Sequence, residues 1–199
     1  GLTLVNGTLS DNNGGGTVSF GDVTINGVWN ITAAQAFAIS GNLTVNTGAT
    51  FTAGTGVYTM SGTSKTIGGD ITSLSIPSLA ATGTITNTIP TFTIATALSG
   101  AGSFTQGAST VLNLGNTTTV TTFDASAANN VVNYTRAGAQ TIKAGTYVTL
   151  NTSGSGAKTQ GGNVVVTTLN VGTGTSFNPT AFDITVSGTT TLVGSLAES

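Results

Sequence analysis

Two stretches of the chain share one pattern of apolar, polar and glycine positions. Residues 43–51 read LTVNTGATF, and residues 169–177 read LNVGTGTSF. In each stretch an apolar–polar–apolar triplet is followed by a Gly-containing corner, with a Phe beyond it. Period-two alternation is typical of a half-buried β-strand, and Gly and Asn accept the positive φ values of tight turns. The shared pattern therefore predicts short β-strands joined by sharp corners.

The same alternation recurs along the rest of the chain. Val23-Thr24-Ile25 precedes an Asn-Gly corner, Thr84-Ile85-Thr86 precedes Asn87, and Ile184-Thr185-Val186 precedes a Ser-Gly corner. Only residues 31–39 and 124–130 are compatible with a helical turn, and both are too short to define a helix-rich fold. The sequence therefore predicts an all-β protein.

The strand-and-corner pattern repeats at about 20 residues, which is the length that one coil of a β-solenoid needs. Coils stacked at about 4.8 Å would make residues 1–199 a single domain, a rod roughly 40–50 Å long. A β-sandwich, which also has short strands and regular turns, is the alternative fold. We expect the solenoid interior to be lined by Val23, Ile25, Leu43, Val45, Phe51, Ile67, Leu74, Ile142, Leu150, Val165, Leu169, Val171, Phe177, Ile184 and Val186.

Composition excludes several classes of partner and site. Charged residues make up 5% of the chain, and there is no Cys and no His. Four basic residues cannot form the patch that nucleic acid requires, and no apolar run approaches the roughly 20 residues of a membrane span. We therefore expect no nucleic-acid partner and no membrane insertion. An exterior rich in Thr, Ser, Asn and Gly predicts an extracellular location.

Residues 131–195 carry a resemblance to a known class of proteins. VVNY at 131–134, GAQTIKAGTY at 138–147, SGSGAKT at 153–159 and GGNV at 161–164 resemble the β-strand-repeat segments of large secreted bacterial surface proteins. These include autotransporter-like adhesins and surface repeat proteins of Bacteroidetes-type bacteria. A weaker match lies at 40–75. The resemblance implies a right-handed parallel β-helix that serves as a stalk on a cell surface, with no shared active site.

The sequence lacks residues that common catalytic sites require. Without His or Cys, neither a Ser-His-Asp nor a Cys-His arrangement can form, and metal ligands are limited to oxygen. The acidic residues are scattered singly. Asp70 and Asp183 could approach each other in space, but nothing in their spacing indicates it. We expect no catalytic residue, no metal site and no cofactor, and interpret the acids as solvated or turn-capping groups.

Two exposed features remain as candidate binding surfaces. Trp29, Tyr58, Tyr134 and Tyr147 are a candidate glycan-stacking patch, because an aromatic ring has an apolar face and a polar edge. Packing in the core is the default interpretation of the same residues. Thr-x-Thr pairs are found at 84–88, 91–93 and 189–191. Ice binding would require such a pair at one position in every coil, and the spacing along the sequence is irregular.

These observations predict an extracellular, non-catalytic structural protein, a stalk or self-assembling fibre segment. The alternatives are an adhesin module that binds glycan or ice through an exposed Thr or aromatic face, and a minimal polysaccharide-active β-helix enzyme. Residues 1–10 and 184–196 carry no charged side chain, and the charged residues, prolines or capping helices that blunt solenoid ends are absent from both stretches. We therefore expect the partner to be a further repeat or a second copy, joined head to tail, with this unit a fragment or subunit of a longer assembly.

Overall fold

The computed structural model describes residues 1–197, and within them it contains 25 β-strands and no helix. The chain is therefore all-β, as predicted. The strands of the N-terminal half are β1 (Leu2–Val5), β2 (Thr8–Asp11), β3 (Thr17–Phe20), β4 (Asp22–Ile25), β5 (Val28–Ile31), β6 (Ala36–Ile39), β7 (Leu43–Val45), β8 (Thr50–Ala53), β9 (Val57–Met60), β10 (Lys65–Gly68), β11 (Ser73–Ala81), β12 (Thr84–Asn87) and β13 (Thr91–Ser99).

The C-terminal half continues in the same way. Its strands are β14 (Ser103–Gln106), β15 (Val111–Leu114), β16 (Thr117–Thr118), β17 (Thr122–Asp124), β18 (Val131–Tyr134), β19 (Gln140–Ile142), β20 (Gly145–Thr152), β21 (Gly156–Gln160), β22 (Val164–Val171), β23 (Thr175–Asn178), β24 (Ile184–Leu192) and β25 (Ser195–Leu196). Nothing helical in residues 1–197 has the length and hydropathy of a membrane span.

Every strand pair is parallel, and each strand pairs with one about 20 residues away. Leu2 pairs with Asp22, and Val131 pairs with Thr149. The chain thus winds through about ten turns of a β-solenoid. The predicted solenoid is confirmed, and the β-sandwich alternative does not apply.

Each coil has three faces. Face 1 contains β1, β4, β7, β10, β12, β14, β17 and the starts of β20, β22 and β24. Face 2 contains β2, β5 and β8, the starts of β11 and β13, then β15, β18 and the ends of β20, β22 and β24. Face 3 contains β3, β6 and β9, the ends of β11 and β13, and then β16, β19, β21, β23 and β25.

The hydrogen-bonded sheets differ from the faces because the long strands turn a corner without interruption. The sheets have 7, 11, 4 and 3 strands, and the 11-stranded sheet passes from face 3 to face 2 through β11 and β13. In β11 the register shifts between Ile76 and Ser78, where Pro77 lies. A proline lacks the N–H that a regular ladder needs, so a bulge at this corner suits it.

Alternate side chains of each strand point into one continuous apolar core. Most of the predicted interior residues are buried there, and Phe51, Ile184 and Val186 are partly buried at its margin. The prediction that Val165 lines the interior is wrong, since Val165 is 45% exposed while its neighbours Val164 and Val166 are buried. Three consecutive valines satisfy either phase of the alternation, and the strand places the outer two inside.

Candidate functional site

Trp29 and Tyr58 lie inside the N-terminal coils, each 0% exposed. Trp29 Nε1 donates a hydrogen bond to the Tyr58 hydroxyl at 3.1 Å, and that hydroxyl donates to the Ala53 carbonyl at 3.0 Å. The rings of Phe37 and Phe51 pack on Trp29, with centroids 4.9 and 6.0 Å away. Both polar atoms are thus used within the core.

Tyr134 and Tyr147 form a second buried pair, farther along the rod. Their hydroxyl oxygens are 3.0 Å apart. The Tyr134 hydroxyl accepts a hydrogen bond from the Lys143 backbone N–H, and the Tyr147 hydroxyl donates to the Lys143 carbonyl. Burial raises the pKa of Tyr134 to about 12 and also raises the pKa values of Tyr58 and Tyr147 well above their ordinary range.

The structure does not bring these four aromatic residues to the surface, so the expectation of a glycan-stacking patch built from them is wrong. Their rings are enclosed and their polar atoms have internal partners, which leaves no face for a sugar. The alternation of inward and outward positions along the strands indicates that these side chains are buried. Trp29 is two positions from buried Ile31, Tyr58 two from buried Met60, and Tyr134 two from buried Val132.

Two acidic side chains cap local turns, and a third accepts hydrogen bonds from the next coil. Asp11 accepts hydrogen bonds from the N–H groups of Asn13 and Gly14, and Asp124 accepts one from the N–H of Ser126. Asp22 accepts from the backbone and side chain of Asn42 on the next coil. The contacts of Asp11 and Asp124 agree with the turn-capping interpretation, whereas Asp22 links two coils.

Asp70 and Asp183 are far apart. Asp70 follows β10 in the fourth coil, whereas Asp183 precedes β24 in the tenth. Six coil spacings separate them, roughly 30 Å, so the fold does not bring these two carboxylates together. Along residues 1–197 there is no cluster of three or more acidic side chains that could hold a metal ion. Glu198 lies outside the described residues.

A buried lysine is the polar feature that sequence reasoning missed. Lys158 is 0% exposed on β21, and its ammonium donates to the carbonyls of Arg136 and Gly138 at 2.6 and 3.1 Å. It also reaches Gln140 Oε1 at 3.5 Å. Burial, and secondarily the charge of Arg136, lower the pKa of Lys158. The side chain ties the corner before β19 to the interior.

The outer side of face 2 carries a regular array that the sequence spacing conceals. From β11 to β24, two outward positions per strand align across seven consecutive coils with unshifted pairing. We call this surface the Thr/Asn face. Its seven pairs are Ser73 and Ser75, Thr91 and Thr93, Val111 and Asn113, Val131 and Asn133, Thr149 and Asn151, Thr168 and Asn170, and Thr189 and Thr191.

Side-chain amides run along one column of this face as a hydrogen-bonded ladder. The amide nitrogens of Asn133, Asn151 and Asn170 each donate to the amide oxygen of the preceding Asn, at 2.7, 2.7 and 2.8 Å. Asn113 starts the ladder by donating to the Thr93 hydroxyl at 3.1 Å. The ladder fixes the rotamers of these amides, and each amide keeps one N–H for an external acceptor.

The array corrects the expectation that the Thr-x-Thr pairs are irregularly placed. Residues 91–93 and 189–191 occupy the same position on face 2, whereas 84–88 begins in β12 on face 1. Coil lengths vary because corners differ in length, so equal positions in space have unequal spacing in sequence. The alignment ends where β8 and β11 fail to pair. A groove lined by Phe51, Ala53 and Ile76 marks that break.

The two ends of the rod expose side chains that belong to the core columns. In the last coil Leu192 is 49% and Leu196 is 52% exposed, whereas Val171 and Phe177, on which they pair, are 1% and 0% exposed. In the first coil Val18 is 38% exposed on top of buried Phe37. Nothing in residues 1–197 pairs with the outer edges of β3 and β24.

Comparisons with known proteins found no relative of this chain. No family model, no curated protein and no solved structure matches the chain.

Proposed function

We propose that this chain is an extracellular structural protein, a stalk or fibre segment in which each end of the solenoid stacks on a further coil. One observation carries the proposal: core-column residues Leu192, Leu196 and Val18 are exposed at the ends, although the residues beneath them are buried. A further coil, either covalently continuous or from a second copy, would bury these side chains and pair the open strand edges.

The composition and the lateral surfaces support the same role. Stability is distributed over parallel ladders and a continuous core, which suits a spacer that must resist local opening. The structural hydrogen bonds of Asp11, Asp22 and Asp124 support a non-catalytic chain. The resemblance of residues 131–195 to bacterial surface repeats supports an extracellular stalk, and surface glycan remains the alternative ligand of such a stalk.

Sedimentation velocity over a wide concentration range tests the proposal. We expect the purified chain to form end-to-end oligomers as its concentration rises. Leu192→Asp places a charge on the exposed end and should abolish this association, because the charge would be buried in the joint. The matched control is Val165→Asp, which adds the same charge at a lateral site of similar exposure, 45% against 49%.

The control variant should associate like the parent chain. A parent chain that stays monomeric at high concentration would contradict the proposal. Equal loss of association in the two variants would also contradict it, because it would locate the contact on the sides of the rod rather than at its ends.

A further inference from the structure

We propose that the Thr/Asn face binds a crystal plane of ice. This inference goes beyond the structural role, since it concerns a lateral surface that end-to-end stacking leaves free. It rests on the array of paired outward residues from Ser73 to Thr191, aligned over seven coils.

The spacing of the array is set by the backbone. Neighbouring coils repeat at about 4.8 Å, and the two positions of a pair, i and i+2 on one strand, are about 6.7 Å apart. Seven coils therefore present a two-column lattice roughly 29 Å long. A crystalline solid whose oxygen atoms repeat at separations of this order is a partner that such a lattice can match at many points at once. A flexible ligand gains nothing from this regularity.

The groups on the lattice are held in place before any ligand arrives. Thr and Val are β-branched and stiff at χ1, and the Asn amides are fixed by their ladder. Binding therefore immobilises few side chains, which lowers its entropic penalty. Hydroxyl and amide groups offer hydrogen bonds, and Thr and Val add methyl groups to the same face.

The chemistry of the face favours water over other partners. All fourteen positions are Ser, Thr, Val or Asn, with no charge that would hold its own hydration shell. The face also has no aromatic ring on which a sugar could stack. It lacks the Trp, Tyr and Arg anchors that dominate protein–protein interfaces. A neutral, periodic surface fits the surface of a neutral, periodic solid.

The test is the partition of the intact chain between slowly growing polycrystalline ice and the remaining liquid. We expect the parent chain to be enriched in the ice and to slow ice recrystallisation. Thr149→Tyr, in the middle of the face, should lose both effects because the ring lifts the lattice away from the ice. Thr141→Tyr places the same ring at an exposed position of face 3 and should behave like the parent.

Circular dichroism and thermal unfolding establish that each variant is folded. Where a Tyr variant fails to fold, Thr168→Lys on the Thr/Asn face replaces it, with Thr159→Lys on face 3 as the control. Exclusion of the folded parent chain from ice would overturn the proposal, as would equal losses in the variants of faces 2 and 3. Leu192→Asp should still enter the ice, so failure of end-to-end stacking and failure of ice binding are distinguishable.

Discussion

A side chain's position in the alternation of its strand determines its environment in this solenoid. Phe104 on β14 is 0% exposed and stacks on Phe92 and Phe123, whereas the next residue, Thr105, points outward. Polar side chains also occupy inward positions. Some of them are paired there, and Asn87, for example, donates to Gln106 inside the core at 3.2 Å. In contrast, Gln106 Nε2, Thr118 Oγ1 and Gln160 Oε1 are buried without a hydrogen-bond partner among residues 1–197.

Phe104→Asp should unfold the central coils. The carboxylate would lie among apolar rings with no cation nearby, and such substitutions cost more than about 4 kcal/mol. Thr105→Asp, one residue along, should change the free energy of unfolding by less than about 0.5 kcal/mol. Chemical denaturation of both variants measures the difference. Similar destabilisation by the two would show that the inward and outward assignments of β14 are wrong.

Phe177 would be a poorer site for this experiment, although it is equally buried. It pairs with Lys158 on the neighbouring strand, so an introduced carboxylate would lie beside a buried ammonium. The presence of a lysine in the core was not predictable from its frequency or spacing. Whether the Lys158 side chain points inward or outward from β21 could be determined only once the strand boundaries were known.

The three buried tyrosines predict a pH limit for the fold. Tyr58, Tyr134 and Tyr147 have pKa values raised by burial, with that of Tyr134 at about 12. Above pH 10, the ordinary tyrosine pKa, the unfolded chain releases protons that the folded chain retains. Their contribution to stability is therefore complete below pH 10 and is lost as the pH rises from 10 towards 12.

Phenolate absorbance and far-ultraviolet circular dichroism, followed together from pH 8 to 12.5, check this prediction. We expect the phenolate signal to appear together with the loss of the β-signal. Ionisation of the tyrosines near pH 10 in a fully folded chain would show that the hydroxyls reach solvent.

Corners are the elements whose conformation glycine determines. Gly100 has a φ of 114°, and a Cβ added there would lie 2.1 Å from the carbonyl oxygen of Ala81 on the preceding coil. Gly138 has a φ of 112° with nothing within 4 Å of such a Cβ. Gly7 has neither a positive φ nor a close neighbour. These three sites separate backbone strain from steric contact.

Alanine at the three sites should destabilise in a fixed order. Gly7→Ala should be nearly neutral, Gly138→Ala should cost about 1–3 kcal/mol from its φ alone, and Gly100→Ala should cost more because two coils must separate. Thermal and denaturant unfolding of the three variants measures the order. Equal effects at Gly100 and Gly138 would show that the coils are not in close contact at this corner.

The sequence repeat corresponds to a unit smaller than a coil. Leu43 and Phe51 lie on faces 1 and 2, whereas Leu169 and Phe177, which align with them, lie on faces 2 and 3. The recurring unit is therefore one strand, one corner and the next strand. Such a unit predicts the solenoid class, but it cannot assign strands to faces. For that reason the Thr/Asn face could not be predicted from the sequence repeat.

At the scale of the whole molecule, the fold is a rod with similar sides along its length and open ends. Faces 1, 2 and 3 each contribute one strand segment to each of the ten coils, so the cross-section stays nearly constant. Within residues 1–197, each end displays apolar core positions and a strand edge with no partner. Parallel strands that continue to pair in one direction produce growth in length without growth in width.

Small-angle X-ray scattering as a function of concentration tests the central claim, an end-to-end stacking solenoid, most directly. At low concentration we expect a rod roughly 40–50 Å long. With rising concentration the length should increase by multiples of that value, while the cross-sectional radius of gyration stays constant. A compact particle at low concentration, or oligomers whose cross-section grows while their length does not, would contradict it.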